Sequence, residues 1–207
     1  SISARSSRDT RRAGAVAPPS PAGAAPPADA EPAAPEAAHA SLAFAQQSLW
    51  FLHQLYPDNT AANEQFVVRM TDVAVARVEA AWAQLVSRHD VLRTGFRAGA
   101  GGEPQPFLAT GANAAGTQLD LREAADAGAA LRDVAAAQIR RPFDLRRPPL
   151  LRVVWARVAD AEWALVVTAH HLIADGLCVA LIRDELLALY EQTALPPPEC
   201  YADFVAA

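Results

Sequence analysis

The chain has 207 residues, 52% of them apolar, and a formal net charge of −5. The acidic balance gives no reason to expect binding to nucleic acid or to an anionic membrane surface. The sequence contains no apolar run of about 18 residues, the length needed to cross a bilayer. Its two cysteines, Cys178 and Cys200, lack metal-binding spacing, so we expect reduced thiols in a cytoplasmic protein. The only methionine is Met70, which indicates a piece of a longer polypeptide.

Residues 1–40 differ in composition from the rest of the chain. They are rich in Ala, Pro, Gly and Ser and hold few large apolar side chains. Such a segment cannot bury enough surface to offset the entropy lost on ordering. We therefore predict a disordered Pro/Ala-rich linker over residues 1–40 and one folded domain over residues 41–207. The alternative is that the first segment orders on a docking partner.

The folded part alternates helical and strand patterns. Helical periodicity and breakers predict four helices, over residues 42–56, 72–89, 123–140 and 177–191. Short β-branched or apolar runs predict strands over residues 65–70, 92–98, 106–109, 150–158 and 163–168. We expect Asp72 to cap the second helix, and the last two strands to form a hairpin. This mixture predicts an α/β sandwich of the α+β type, with helices packed on a largely antiparallel sheet.

The turn after the last strand concentrates titratable side chains. It is HHLIADG over residues 170–176, and a helical pattern follows it. Rigid elements on both sides would hold such a turn while leaving it exposed, which favours a reactive site. Neighbours on a strand point to opposite faces, so His170 and His171 are not expected to address one substrate or to share a metal. The residues alone do not choose between the two rings.

Other residues of this region have two interpretations each. Asp175 either caps the helix that follows it or forms an ion pair that fixes the turn. Gly176 either permits close backbone approach beside the histidines or is an ordinary turn glycine. Trp50 and Phe51, in the first helix, are expected in the core rather than in contact with a ligand.

Four stretches, in the same order, resemble motifs of the condensation domains of nonribosomal peptide synthetases. The turn HHLIADG resembles the HHxxxDG motif, which a wider acyltransferase superfamily shares. SLAFAQQSLWFL at 41–52 resembles the opening motif, and RHDVLRTGF at 88–96 resembles RHExLRTxF. YADF at 201–204 resembles the YxD motif that closes the first half of the family. One departure is that Leu177-Cys178 stands where the family usually has Trp-Ser.

The resemblance implies a fold and roles for the residues of the turn. It implies the N-terminal lobe of a two-lobed, chloramphenicol-acetyltransferase-like fold whose active site lies in a channel between the lobes. It assigns His171 to the channel as the catalytic residue, and His170 to a structural role. It makes Asp175 a structural acid paired with an arginine: Arg93 is the first candidate, and the partner could equally lie in the missing lobe. Gly176 completes the motif, and no metal takes part.

The resemblance also implies a reaction. A carrier-bound acyl or peptidyl thioester would be joined to an acceptor amine, with both substrates held on the phosphopantetheine of donor and acceptor carrier-protein domains and no cofactor bound directly. Because the channel needs a second, C-terminal lobe as partner, we expect the isolated chain to be inactive and to expose an apolar interface patch. Two alternatives are a stand-alone CoA-dependent acyltransferase of the same superfamily and a non-catalytic lobe that docks carrier proteins.

Overall fold

A five-stranded sheet forms the centre of the molecule in a computed structural model, which describes residues 2–5, 42, 44–111 and 114–198. The strands of the chain are β1 (Ile2–Arg5), β2 (Asn63–Thr71), β3 (Thr94–Ala98), β4 (Pro104–Leu108), β5 (Thr117–Asp120), β6 (Leu151–Ala159) and β7 (Glu162–His170). The helices are α1 (Phe44–Leu55), α2 (Val75–Arg88), α3 (Ala127–Ile139) and α4 (Cys178–Tyr190), with a 3₁₀ turn over Asp90–Arg93. Within these residues no helix combines the length and the apolar character needed to cross a membrane.

The central sheet has the strand order β1-β2-β7-β6-β5, and β3 pairs with β4 in a separate hairpin. All pairs are antiparallel except β5 with β6, which run parallel and are connected through α3. The predicted α/β sandwich with a largely antiparallel sheet is therefore confirmed, as is the β6–β7 hairpin. The parallel strand β5 was not predicted.

Helices cover both faces of the sheet. On one face, alternate residues of β2, β6 and β7 pack against α2, α4 and Trp50 of α1; they include Phe66, Val68, Met70, Val153, Trp155, Leu165 and Val167. On the other face, Leu131 of α3 packs on Val154, Ala156, Ala164 and Val166. Because strand side chains alternate between faces, one continuous strand serves both cores. The sheet is thus the middle of three layers.

Two predicted helix starts differ from the structure. Asp72 does not cap α2: it has a left-handed φ of 56°, and its N–H donates to Ala161 O at 2.9 Å in the turn that leaves β2. Helix α2 begins at Val75 instead. Helix α3 begins at Ala127 because Asp126 caps it, its carboxylate accepting a hydrogen bond from Ala129 N at 2.8 Å.

Residues 2–5 form an edge strand of the sheet, β1, which pairs with residues 67–70 of β2. The linker prediction over residues 1–40 did not include a strand there, since four residues of mixed character carry no clear alternation. Residues 6–40 of the predicted linker lie outside the described residues, as does the YADF motif.

Large apolar side chains are exposed on or beside helices α1 and α4. On α1, Phe51 is 65% exposed, although the sequence analysis placed it in the core; Trp50 is buried as predicted. The other large exposed apolar side chains are Leu52, Leu55, Tyr56, Leu177 and Leu181. Leu177 precedes α4 and Leu181 lies one turn later, so both sit close to the end of the HHLIADG turn. The described surface therefore carries large exposed apolar side chains at both places.

Candidate active site

The two histidines lie at the C-terminal end of β7, the middle strand of the central sheet. His170 is the last residue of β7 and lies opposite Asn63 of β2. Its main-chain N–H donates to Leu150 O at 2.9 Å, and that of His171 donates to Ala62 O at 2.8 Å. The backbone of the histidine pair is thus fixed on both sides by neighbouring segments, which is why the turn starts from a rigid position.

His170 is buried, with 2% of its surface exposed. Its Nδ1 accepts a hydrogen bond from Leu172 N at 3.1 Å, and its ring stands edge-on to the rings of His53 and Phe143. Burial lowers the pKa of His170 to about 4, with smaller contributions from His53 and His171. The ring is therefore neutral near pH 7 and serves as an acceptor inside the fold.

His171 has a different environment from its neighbour. Its side chain is 37% exposed, and Nδ1 lies 3.4 Å from Oε1 of Glu64 on β2. That nitrogen is itself buried and has no hydrogen-bond partner among the described residues. The structure therefore separates the two rings as alternation predicts: His170 packs inside, and His171 reaches solvent.

Asp175 caps helix α4. Its Oδ1 accepts hydrogen bonds from Leu177 N at 2.9 Å and Cys178 N at 3.0 Å. Burial raises the pKa of Asp175, but the hydrogen bonds from Cys178 and Leu177 outweigh it and hold the pKa below its usual value. The described residues thus contain the hydrogen bonds that the first interpretation of Asp175 requires.

Arg93 does not pair with Asp175, which corrects the prediction of an ion pair between them. Arg93 bonds instead to Asp90, three residues earlier in the 3₁₀ turn. In the described part of the chain no arginine lies within ion-pair distance of Asp175. The carboxylate of Asp90 is available to Arg93 because both residues belong to the same short turn.

Gly176 is not required by packing or backbone conformation in the described residues. A Cβ placed on it would meet no atom within 4 Å, and its φ is not in the left-handed region. The close approach predicted at Gly176 would therefore have to come from a molecule or segment beyond these residues.

Polar side chains from the sheet hold the C-terminal end of α3 beside His170. Arg152 of β6 donates to Gln138 O at 2.9 Å and Arg141 O at 2.7 Å, and its guanidinium stacks 3.7 Å from the ring centroid of Phe143. Asn63 donates to Arg141 O at 2.9 Å. These bonds satisfy carbonyls that a helix end leaves free. They also fix Phe143, one of the two rings against His170.

Replacing Arg152 with methionine should lower the free energy of unfolding by about 2 kcal/mol, because charged hydrogen bonds to the end of α3 are lost while apolar volume remains. In a domain of this size, thermal denaturation of the chain should show a melting temperature lower by roughly 4–8 °C. Arg132→Met on α3 is the matched control, since Arg132 is 73% exposed with an ion pair at 3.9 Å. Equal shifts for both variants would contradict the role given to Arg152.

A cavity of about 580 Å³ lies on the α1 side of the histidine pair. Its lining includes Trp50 and His53 of α1 and, across from them, Phe143 and Asp144. Burial lowers the pKa of His53, and the charge of Asp144 partly opposes this. His53 also lines a small cleft with His170. His53 is therefore shared by the lining of the cavity and the lining of the cleft beside His170.

The sequence profile of the condensation domain family matches residues 36–207, which is most of the chain. The chain belongs to the condensation domain family. The HHLIADG turn described above lies within the matched part of this condensation domain sequence.

Relatives of this condensation domain chain are large peptide synthetases. Phosphinothricin tripeptide synthetase PhsC of Streptomyces viridochromogenes is 41% identical over 174 residues, 79% of this chain and 16% of that protein. Bacitracin synthase 3 of Bacillus licheniformis is 32% identical over 176 residues, 83% of this chain and 3% of that protein. The chain thus spans a small part of the length of these relatives.

Solved condensation domains share the fold. The starter condensation domain of rhizomide synthetase RzmA superposes with a TM-score of 0.70 at 26% identity, over 80% of this chain and 43% of that one. The first condensation domain of the calcium-dependent antibiotic synthetase, determined with a substrate analogue, gives a TM-score of 0.74 at 20% identity, over 82% of this chain and 43% of that one. The second likeness concerns the fold alone.

Several residues around the turn were missed by sequence reasoning. Glu64, His53 and Arg152 come from three different elements, and Gln46 of α1 donates to Leu172 O at 2.7 Å across 126 residues of sequence. One local signal was present: Gln46 lies on the helix face that also carries the apolar residues Leu49 and Trp50. For Glu64 no local signal exists, because only the strand pairing brings it to His171.

Proposed function

We propose that this chain is the N-terminal lobe of a condensation domain that joins a carrier-bound acyl or peptidyl thioester to an acceptor amine in a nonribosomal peptide or hybrid polyketide synthetase. The observation that carries the proposal is the separation of the two motif histidines, with His170 buried and His171 partly exposed at the end of β7. His171 is the catalytic residue in this proposal. His170, Asp175 and Gly176 shape the turn.

The proposed step forms one C–N bond and breaks one C–S bond. The acceptor amine attacks the thioester carbonyl, the tetrahedral intermediate expels the donor thiolate, and the proton lost by the amine goes to that thiolate. Since an α-amine has a pKa near 8, about a tenth is already free base at pH 7. A general base alone therefore gains about tenfold from deprotonation. The larger contribution of His171 is to orient the amine and to stabilise the intermediate by hydrogen bonding.

The proposed partners follow from this chemistry. Donor and acceptor carrier-protein domains present their substrates on phosphopantetheine arms, and a C-terminal lobe closes the channel over His171. The exposed apolar side chains on or beside α1 and α4 support a covering partner, because a partner would remove their apolar area from water. No cofactor is bound by the lobe itself in this proposal. We place the synthetase in the cytoplasm.

The test is product formation by the full-length synthetase that carries this chain, supplied with carrier-loaded donor and acceptor and followed by mass spectrometry of the acceptor carrier. We expect an amide product from the full-length protein and none from this chain alone. Product from a CoA-linked donor, with saturation in CoA thioester and no need of a carrier, would instead support a stand-alone acyltransferase. Loaded carriers that bind without forming product would support a docking lobe.

A further inference from the structure

A carboxylate lies beside the proposed catalytic histidine. In the pairing of β2 with β7, Glu64 lies opposite Ala169, so both side chains are on the same face of the sheet. His171 is two residues beyond Ala169, and Oε1 of Glu64 is 3.4 Å from its Nδ1. The hydrogen bond from His171 N to Ala62 O, two residues before Glu64, holds the two segments together. Strand register thus places this pair.

Three charged or titratable groups near His171 differ in whether they are free to accept a hydrogen bond from its Nδ1. His170 is buried, and its own Nδ1 is occupied by Leu172 N. Asp175 uses its Oδ1 to cap α4, although its charge acts on His171. Glu64 is the carboxylate within 4 Å of the buried Nδ1, which has no hydrogen-bond partner in the described residues. A small side-chain movement would complete this hydrogen bond.

We propose that Glu64 is a positioning residue for His171, accepting a hydrogen bond from Nδ1–H and leaving Nε2 free toward the acceptor amine. The inference rests on the proposed function. When Nε2 takes the proton of the attacking amine, the ring becomes an imidazolium next to the Glu64 carboxylate. Nε2 then passes that proton to the departing donor thiolate, and the ring is neutral again. A histidine whose second nitrogen is held in this way keeps one tautomer and one orientation.

The solvent exposure of His171 and Glu64 determines how much the rate should fall when the carboxylate is removed. The side chains of His171 and Glu64 are 37% and 46% exposed, so water competes with the pair and screens its charge. A covering lobe and bound substrates would exclude much of that water and strengthen the pair. We therefore expect a loss of about tenfold when the carboxylate is removed, well below the loss expected for His171 itself.

The experiment compares Glu64→Gln and Glu64→Leu with the wild-type full-length synthetase. Leucine removes both acceptor and charge, and we expect kcat about tenfold lower with KM little changed. Glutamine keeps an acceptor, so its kcat should be intermediate. Glu123→Gln, an exposed carboxylate before α3, is the control.

The state of the His171 ring gives a second readout that needs no activity. In the ¹⁵N spectrum of this chain, wild type should carry the ring proton on Nδ1, and Glu64→Leu should shift the ring toward the other tautomer. An unchanged spectrum together with a kcat within twofold of wild type would overturn the inference. If the wild-type synthetase makes no condensation product but the spectrum changes as expected, the proposed function fails while the pairing of Glu64 with His171 stands.

Discussion

Replacing His171 with alanine in the full-length synthetase should lower the rate of condensation by between about 100- and 1,000-fold, while loading of the donor carrier stays intact. A positioned acid–base group contributes in this range, and alanine removes both the base and the hydrogen bond to the intermediate. The ring is partly exposed at the end of β7, so its removal should leave the fold in place. Product and loaded carriers should be measured in one mass-spectrometric assay.

The control for this variant is Asp133→Ala on the exposed side of α3, which should leave the rate unchanged. A second comparison uses matched amine and hydroxyl acceptors. An alcohol is almost wholly protonated at neutral pH, so ester formation depends more on a true base, and His171→Ala should reduce it more than amide formation. Equal losses for the two acceptors would refute the orienting role. If His171→Ala leaves the amount of amide product unchanged, the turn has a structural role only, and the chain is better interpreted as a lobe that docks carrier proteins.

Stability should fall as the pH is lowered from about 6.5 toward 4, by on the order of 3 kcal/mol. The cause is His170, whose pKa is lowered from 6.5 to about 4, mainly by burial. Between pH 6.5 and 4 the His170 ring is protonated in the unfolded chain but stays neutral in the folded chain, so lowering the pH favours unfolding. Above pH 6.5 the ring is neutral in both states, and the effect is absent. Urea denaturation of the chain at half-unit steps of pH should show the decline.

The control is His170→Asn, which keeps an acceptor for Leu172 N and cannot titrate. Its stability at pH 7 is expected to differ from wild type, but its decline between pH 6.5 and 4 should be much smaller. His53, whose pKa burial also lowers, contributes to the remaining slope. The carboxylates with lowered pKa, among them Asp175, act in a more acidic window, below about 3.8. An equally steep decline in His170→Asn would rule out His170 as the cause.

The elements that carry strong periodicity could be predicted from sequence. Helix α4 and the β6–β7 hairpin have clear patterns, and alternation along a strand places His170 and His171 on opposite faces without showing which ring is buried. Strand β5 could not be found in this way. It has four residues, three of them exposed, so neither burial nor alternation marks it. Its pairing with β6 depends on the crossover through α3.

The partners of the site residues could not be predicted, for a different reason. Arg93 was assigned to Asp175 on the basis of motifs, but Asp90 on the same 3₁₀ turn is available at less entropic cost. Glu64 reaches His171 through pairing between strands that are distant in sequence. Side-chain contacts of this kind depend on the register of the two strands. A hairpin turn would fix that register, but no such turn joins β2 to β7.

The pairing of β2 with β7 also sets the order in which this lobe folds. Strands β6 and β7 close over a short turn and can pair within microseconds, whereas Gln65 of β2 and Thr168 of β7, which share a hydrogen bond, are 103 residues apart. During synthesis on the ribosome, β2 therefore emerges long before β7 and cannot yet pair with it. Ala62 and Glu64 arrive with β2, so the HHLIADG turn reaches its final geometry only after β2 and β7 have paired. Until β7 is made, the side of β2 that faces it stays unpaired in the nascent chain and is open to aggregation.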